Sequence, residues 1–163
     1  MGEQGAYIGR AIVWLLATVF GAGLSPIAPG TVGTALGIPI SLAISRTAPG
    51  IWLLLTLILV LLSAWISGMA GRVFGKEDDR RIVLDEMVAY PVCMLWIKHT
   101  AATLGFAFLL FRLLDILKPQ PIAVSQRLRG GIGVVADDLV AAIITNLVLG
   151  LATGWEGLQG WSR

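Results

Sequence analysis

Cysteine and histidine are nearly missing from this 163-residue chain: each occurs once, as Cys93 and His99. A lone cysteine excludes an internal disulfide, and within the apolar run around it Cys93 reads as an inert core thiol. Charge is scarce as well. Asp, Glu, Lys and Arg make up 13% of the residues, well below the roughly 25% of an ordinary soluble domain. A net charge of +2, with no stripe of bases interleaved with aromatics, excludes a nucleic-acid surface. Internal repeats, low-complexity tracts and linker-like stretches are also absent. Residues 1–163 therefore read as one domain, long enough for a substantial core.

What is present is apolar: 56% of residues are hydrophobic and the mean hydropathy is +0.84. Residues 51–71 carry no charge and are long enough for a hydrocarbon core of about 30 Å. Arg72, Lys76, Arg80 and Arg81 follow, which places that end in the cytoplasm by the positive-inside bias. A last apolar helix over 139–152 reaches span length if it starts near Ile132. Between them, 87–97 and 100–114 are each marginal for a crossing, so a tight helical pair competes with two full spans. In the first third, the pattern predicts a helix over 8–24, a proline-interrupted break over 25–30 and a shorter helix over 31–44 containing Pro39.

Non-helical backbone at membrane depth must be covered by protein or water, so the break is expected at the cytoplasmic surface beside the 72–81 loop. Residues 118–131, with two prolines, three bases and a Gly-Gly pair, are expected as another loop on that side. The apolar stretch 11–24 follows Arg10 like the core of a signal peptide, but the Pro-rich segment after it reads as structure, so it is kept as mature protein. Residues 155–163 read as an interfacial or frayed end. The expected fold is all-α, an integral membrane helical bundle with short or broken helices.

Against this background five carboxylates stand out: Asp85-Glu86, Asp115 and Asp137-Asp138. Among apolar neighbours an acid costs several kcal/mol unless paired, protonated or bound to a cation. Arg112, Asp115 and Lys118 recur every three residues and so share a helix face. That spacing fits a salt-bridged stripe at a helix end closed by Pro119. It also fits a metal-holding Asp115 with Arg112 or Lys118 gripping phosphate. Asp137 and Asp138 follow Gly130-Gly131-Ile132-Gly133. Neighbouring helix positions point about 100° apart, so one is expected as a ligand and the other as its support, unless both merely complement a helix N-terminus. Asp85-Glu86 allows the same two readings. In the first third, Ser25, Gly30 and Thr31 lie in Ser25-Pro26-Ile27-Ala28-Pro29-Gly30-Thr31. Thr31 suits a helix N-cap and the helix start an anion, although a plain turn is equally compatible. Oxygen donors without thiol or imidazole favour Mg²⁺ or Mn²⁺ over zinc. His99 has no second histidine to work with, position 99 is not the Arg of a Cys-x₅-Arg thiolate site, and no Asp-x-Asp loop is present.

Taken together and in order, Phe20-Gly21-Ala22-Gly23-Leu24-Ser25-Pro26, Pro29-Gly30-Thr31, Asp85-Glu86, Phe111-Arg112-Leu113-Leu114-Asp115-Ile116-Leu117-Lys118-Pro119-Gln120-Pro121-Ile122, Gly130-Gly131-Ile132-Gly133 and Asp137-Asp138 resemble the phosphatidylglycerophosphatase A family. The resemblance runs over about 20–150. It implies an all-helical, Mg²⁺-dependent phosphatase that converts phosphatidylglycerophosphate to phosphatidylglycerol in the bacterial inner membrane. On this reading Asp85, Glu86, Asp115, Asp137 and Asp138 are catalytic, and Glu86, Asp115, Asp137 and Asp138 carry the metal. Ser25, Gly30, Thr31, Arg112 and Lys118 bind phosphate, and the site faces the cytoplasm. Two alternatives remain: the same scaffold acting on a soluble phosphomonoester, and a small ion or proton transporter whose buried acids line the path.

Overall fold

The structure, a computed structural model, describes residues 3–120, 122–125 and 130–155, which form helices and no strand. Seven α-helices follow in order: α1 (Glu3–Ala17), α2 (Pro29–Ile44), α3 (Pro49–Phe74), α4 (Leu84–Cys93), α5 (Ala101–Leu117), α6 (Ile122–Ser125) and α7 (Gly130–Thr153). Proline opens both α2 and α3, where its missing N–H has no intrahelical partner to lose. Gly75, at φ 76°, ends α3 in the left-handed conformation that glycine adopts without strain. Thr100 caps α5, exchanging hydrogen bonds with Thr103.

The helix expected over 8–24 stops at Ala17. There Val83 N–H donates to the Ala17 carbonyl at 3.0 Å, and a short 3-10 turn follows at Ala22–Leu24. A side chain at Gly23 would meet the Arg81 carbonyl. The first connection is thus pressed against the link between α3 and α4, and the break spans 18–28 rather than 25–30. Thr31 is not the N-cap either. Ala28 holds that position at φ 47° because Pro29 fixes the start of the helix, leaving Thr31 in the first turn. The expected loop over 118–131 contains α6. Its Pro121 and residues 126–129, with two of its three bases, lie outside the described residues, as do residues 156–163 of the tail. α7 begins at Gly130, earlier than 132 or 139, so Asp137 and Asp138 lie well inside a helix rather than at its start.

The core sits around α4. Side chains at Gly33 and Gly37 would collide with the Val83 and Met87 carbonyls, so these glycines let α2 approach the α4 backbone closely. On the other faces of α4, Tyr90, Cys93 and Met94 pack with Phe111 of α5, Ile122 of α6 and Ala141, Ala142 and Leu149 of α7. Cys93 is buried there, the core thiol the sequence suggests. Only α3 and α7, among the described residues, are long and apolar enough to cross a membrane. α3 leaves Leu54, Leu61 and Trp65 more than half exposed.

Candidate metal and phosphate site

The acids converge because three helices turn toward one place. Asp85 and Glu86 lie in the first turn of α4, Arg112 and Asp115 near the end of α5, and Asp137 and Asp138 on α7. Carboxylate oxygens of Asp85, Glu86 and Asp138 lie within 4.8 Å of one another, and so do those of Asp115, Asp137 and Asp138. Asp138 belongs to both groups and Asp137 to one, and the two neighbours both offer an oxygen to the second group. Asp85, Asp115, Asp137 and Asp138 are all buried.

Two cations close the cluster. Arg112 donates from Nη1 to Asp115 Oδ2 at 2.8 Å, and Lys118 Nζ pairs with Asp137 and lies 3.8 Å from Asp115 Oδ1. The ion-paired stripe expected from the three-residue spacing is present on α5, and it faces the cluster of carboxylates. Lys118 adopts φ 43° as the C-cap of α5, a conformation costly for a residue with a Cβ. That turn is tied by Lys118 N–H donating to the Leu114 carbonyl at 2.8 Å, and it aims the ammonium back at α7. Burial opposes the charge on Lys118, but the hydrogen bond to Asp137 and the nearby carboxylates outweigh it and hold its pKa above the usual value.

Five carboxylates facing two cations leave the cluster short of positive charge. Burial, then the charges of Glu86 and Asp138, push the Asp85 carboxyl well above the usual carboxylate range; burial also raises Glu86. Within the cluster, Glu86 Oε2 and Arg112 Nε are enclosed and have no hydrogen-bond partner among the described residues. An orphaned carboxylate oxygen inside an all-oxygen cage is what a hard divalent cation would satisfy, so the donor set fits Mg²⁺. An orphaned guanidinium N–H beside it is a donor for an anion.

Gly30 belongs to the same place. A Cβ there would lie 2.3 Å from Glu86 Oε1 and 3.1 Å from Arg112 Nη1, so the glycine leaves the room that both side chains occupy. Thr34, which was not among the expected residues, returns its hydroxyl to the Gly30 carbonyl at 2.9 Å and ties this turn of α2. Its only signal in the sequence is its i+4 spacing from Gly30. Ser25 instead donates to the Ile27 carbonyl at 2.8 Å within its own turn. Thr31 is half-buried next to Gly30. His99 lies apart from the acids, hydrogen-bonded to Ser41 through Nε2 at 2.8 Å.

With the geometry in place, comparison with known proteins bears on it. Residues 15–153 match the family model described as phosphatidylglycerophosphatase A. The chain is 33% identical over 150 residues to a Bacteroides thetaiotaomicron protein provisionally named phosphatidylinositol-3-phosphatase, covering 85% of this chain and 91% of that one. It is 32% identical over 137 residues to phosphatidylglycerophosphatase A of Escherichia coli, covering 83% and 80%. With phosphatidylglycerophosphatase A of Haemophilus influenzae the identity is 34% over 149 residues, covering 88% and 90%. No solved structure matches the chain.

Proposed function

The chain belongs to the phosphatidylglycerophosphatase A family and is a phosphatase of that kind, and from that premise we propose that it hydrolyses the terminal phosphomonoester of phosphatidylglycerophosphate with Mg²⁺. The centre is the cage of Asp85, Glu86, Asp115, Asp137 and Asp138, in a multi-pass protein of the bacterial inner membrane whose site faces the cytoplasm. The observation that carries this reading is the pair of acid trios sharing Asp138, with Glu86 Oε2 and Arg112 Nε enclosed and unpartnered beside them.

Glu86, Asp115, Asp137 and Asp138 would hold the ion, with Asp85 completing the cage. Bound there, Mg²⁺ would offset charge on the phosphoryl oxygens and help orient water. Arg112 offers its free Nε–H to a phosphate oxygen, while its Nη1 stays on Asp115 and keeps the guanidinium in place. Lys118, held between Asp137 and Asp115, supplies a second positive charge at the same mouth. Gly30 keeps a side chain out of the space next to both groups. Thr31, on the same turn of α2, would contribute the positive end of that helix. Water adds to phosphorus, the P–O bond to the glycerol breaks, and the leaving oxygen takes a proton. The orientation is argued from charge: Arg72 in the last turn of α3 and Lys76, Arg80 and Arg81 in the link to α4 lie on the side of the turn that carries Asp85 and Glu86.

A phosphate-release assay on purified protein tests the reading. Phosphatidylglycerophosphate should be cleaved with Mg²⁺ and not in EDTA, and glycerol 3-phosphate should be a poor substrate. Undiminished cleavage in EDTA would sink the metal assignment, and equal cleavage of glycerol 3-phosphate would move the substrate to soluble phosphomonoesters. Phosphatidylinositol 3-phosphate belongs in the same assay because one relative is named for that lipid; its preferential cleavage would replace the glycerophosphate headgroup.

A further inference from the structure

Away from the acid cage, the C-terminal half of α3 borders two cavities of opposite character. One, of about 480 Å³, lies between α3 and the start of α7 and is lined by Ser67, Gly71, Arg72, Lys76, Gly130 and Gly131. Glu77 borders it too, with its backbone close against Gly71. The other, of about 660 Å³, is an apolar groove between α1 and α3. Gly9, Ile12 and Leu16 line it from one side and Trp65 and Met69 from the other. Arg72 borders both cavities.

The polar cavity has three features that suit an anion. It carries two basic side chains, Arg72 and Lys76. It receives the N-terminal turn of the 24-residue α7, the positive end of a helix. Independently, Ser67 is fully buried and its hydroxyl has no hydrogen-bond partner among the described residues, a donor whose enclosure costs free energy until an acceptor reaches it. The groove beside it has the complementary chemistry, with an apolar wall and with Arg10 and Arg72 on its border. Trp65, 64% exposed, is the residue type that collects at a membrane–water interface.

We propose that the two cavities together hold one anionic glycerophospholipid of the surrounding bilayer. Its phosphodiester lies against Arg72, Lys76, the Ser67 hydroxyl and the first amides of α7, and one acyl chain lies along the α1–α3 groove. An anionic headgroup joined to a hydrocarbon chain is the ligand that a polar and an apolar cavity sharing one arginine can both fill. This site is separate from the acid cage. Gly131 and Asp138 are seven residues apart on α7, about 10 Å along the axis. Between them Val134 packs with Ala17, Ala70 and Ile82. The inference therefore goes beyond the phosphatase reading and holds independently of which phosphomonoester the cage cleaves.

Native mass spectrometry of the full-length protein in detergent tests it, with dioleoyl phosphatidylglycerol and dioleoyl phosphatidylcholine as probes. The wild-type chain should retain one phosphatidylglycerol in preference to phosphatidylcholine. The double variant Arg72→Gln/Lys76→Gln should hold phosphatidylglycerol about thirtyfold more weakly, at about 1 kcal/mol for each basic contact, and phosphatidylcholine as before. Gly9→Leu fills the groove without a backbone collision, since a Cβ there meets nothing within 4 Å, and should weaken retention of phosphatidylglycerol. In both variants, hydrolysis of a water-soluble phosphomonoester should match wild type. Lack of headgroup preference in the wild type, or undiminished phosphatidylglycerol binding in the double variant, would overturn the anion site. Full retention in Gly9→Leu, or displacement of the lipid by equimolar glycerophosphoglycerol, would overturn the acyl groove. A wild-type protein that passes these tests but releases no phosphate would sink only the phosphatase reading.

Discussion

Two polar clusters lie inside this bundle, and they treat their hydrogen bonds differently. Where α4 ends, Asn146 of α7 donates to the Cys93 and Leu95 carbonyls at 3.1 and 2.9 Å, and Trp155 donates to its Oδ1 at 3.3 Å. His99 is held between Ser41 and the Ile97 carbonyl. Among the described residues, only Trp52 Nε1, whose ring lies beside His99, lacks a partner there. Where α4 begins, five acids crowd two cations, and both Glu86 Oε2 and Arg112 Nε are enclosed without partners. The first cluster satisfies the backbone left open where α4 stops, and so serves folding. The second keeps unused donor and acceptor capacity at a cost to stability, which is the mark of a site that completes itself on something from outside.

The sharpest way to break that contrast is at Asp138, the acid common to both trios. Asp138→Asn should lower phosphate release roughly a thousandfold, the loss of several kcal/mol of charge stabilisation. Its thermal unfolding temperature should not fall, because the variant removes one of several mutually repelling buried charges. Comparable activity in the variant, or collapse of the fold, would make the acid end a structural cluster like the other. Gly30→Ala should cost about ten- to a hundredfold in activity with the helical circular dichroism intact. The added methyl can be relieved only by displacing the Glu86 carboxylate or the Arg112 guanidinium. A wild-type rate would detach α2 from the site.

Asn146→Leu should do the reverse. It leaves two carbonyls at the end of α4 without their donor and should cost about 1–3 kcal/mol of stability, with the rate per folded molecule unchanged. The smallest effect is at His99. Burial, partly offset by the contact of Nδ1 with the Ile97 carbonyl, holds its pKa below the usual 6.5. The folded state therefore resists protonation, so stability is complete above about pH 6.5 and falls as the pH drops through and below that value. Thermal unfolding followed from pH 7.5 to 5 should show the wild type losing stability relative to His99→Gln as the pH falls. A constant difference between the two would place the titration elsewhere.

Much of the site was legible in the chain because a carboxylate in an apolar neighbourhood needs a reason wherever it occurs, and each of the five acids announced itself that way. Arg112 and Lys118 were legible through their three-residue spacing around Asp115. The readings failed where backbone contacts between distant segments set local structure. No local pattern foretold that Val83 would hydrogen-bond to Ala17 and end α1 early; the cap at Ala28 rather than Thr31, by contrast, had a local signal in Pro29 at the first helical position. Nor did the apparent loop over 118–131 advertise that its far end begins α7 and carries Asp137 and Asp138 deep into that helix.

By itself the sequence determined the composition of the bundle, the family and the residues of the candidate centre, because hydropathy, residue chemistry and motif order are properties of the chain read in one dimension. Only the tertiary structure decided which acids bring their oxygens within 4.8 Å of one another. It also decided that Lys118 reaches across nineteen positions to Asp137 and that Gly30 opens onto Glu86 rather than merely turning the chain. Distances between side chains on different helices depend on how closely those helices pack. For Gly30 and Glu86 that closeness comes from glycines meeting carbonyls across the α2–α4 contact, an interaction that exists only after the chain has folded.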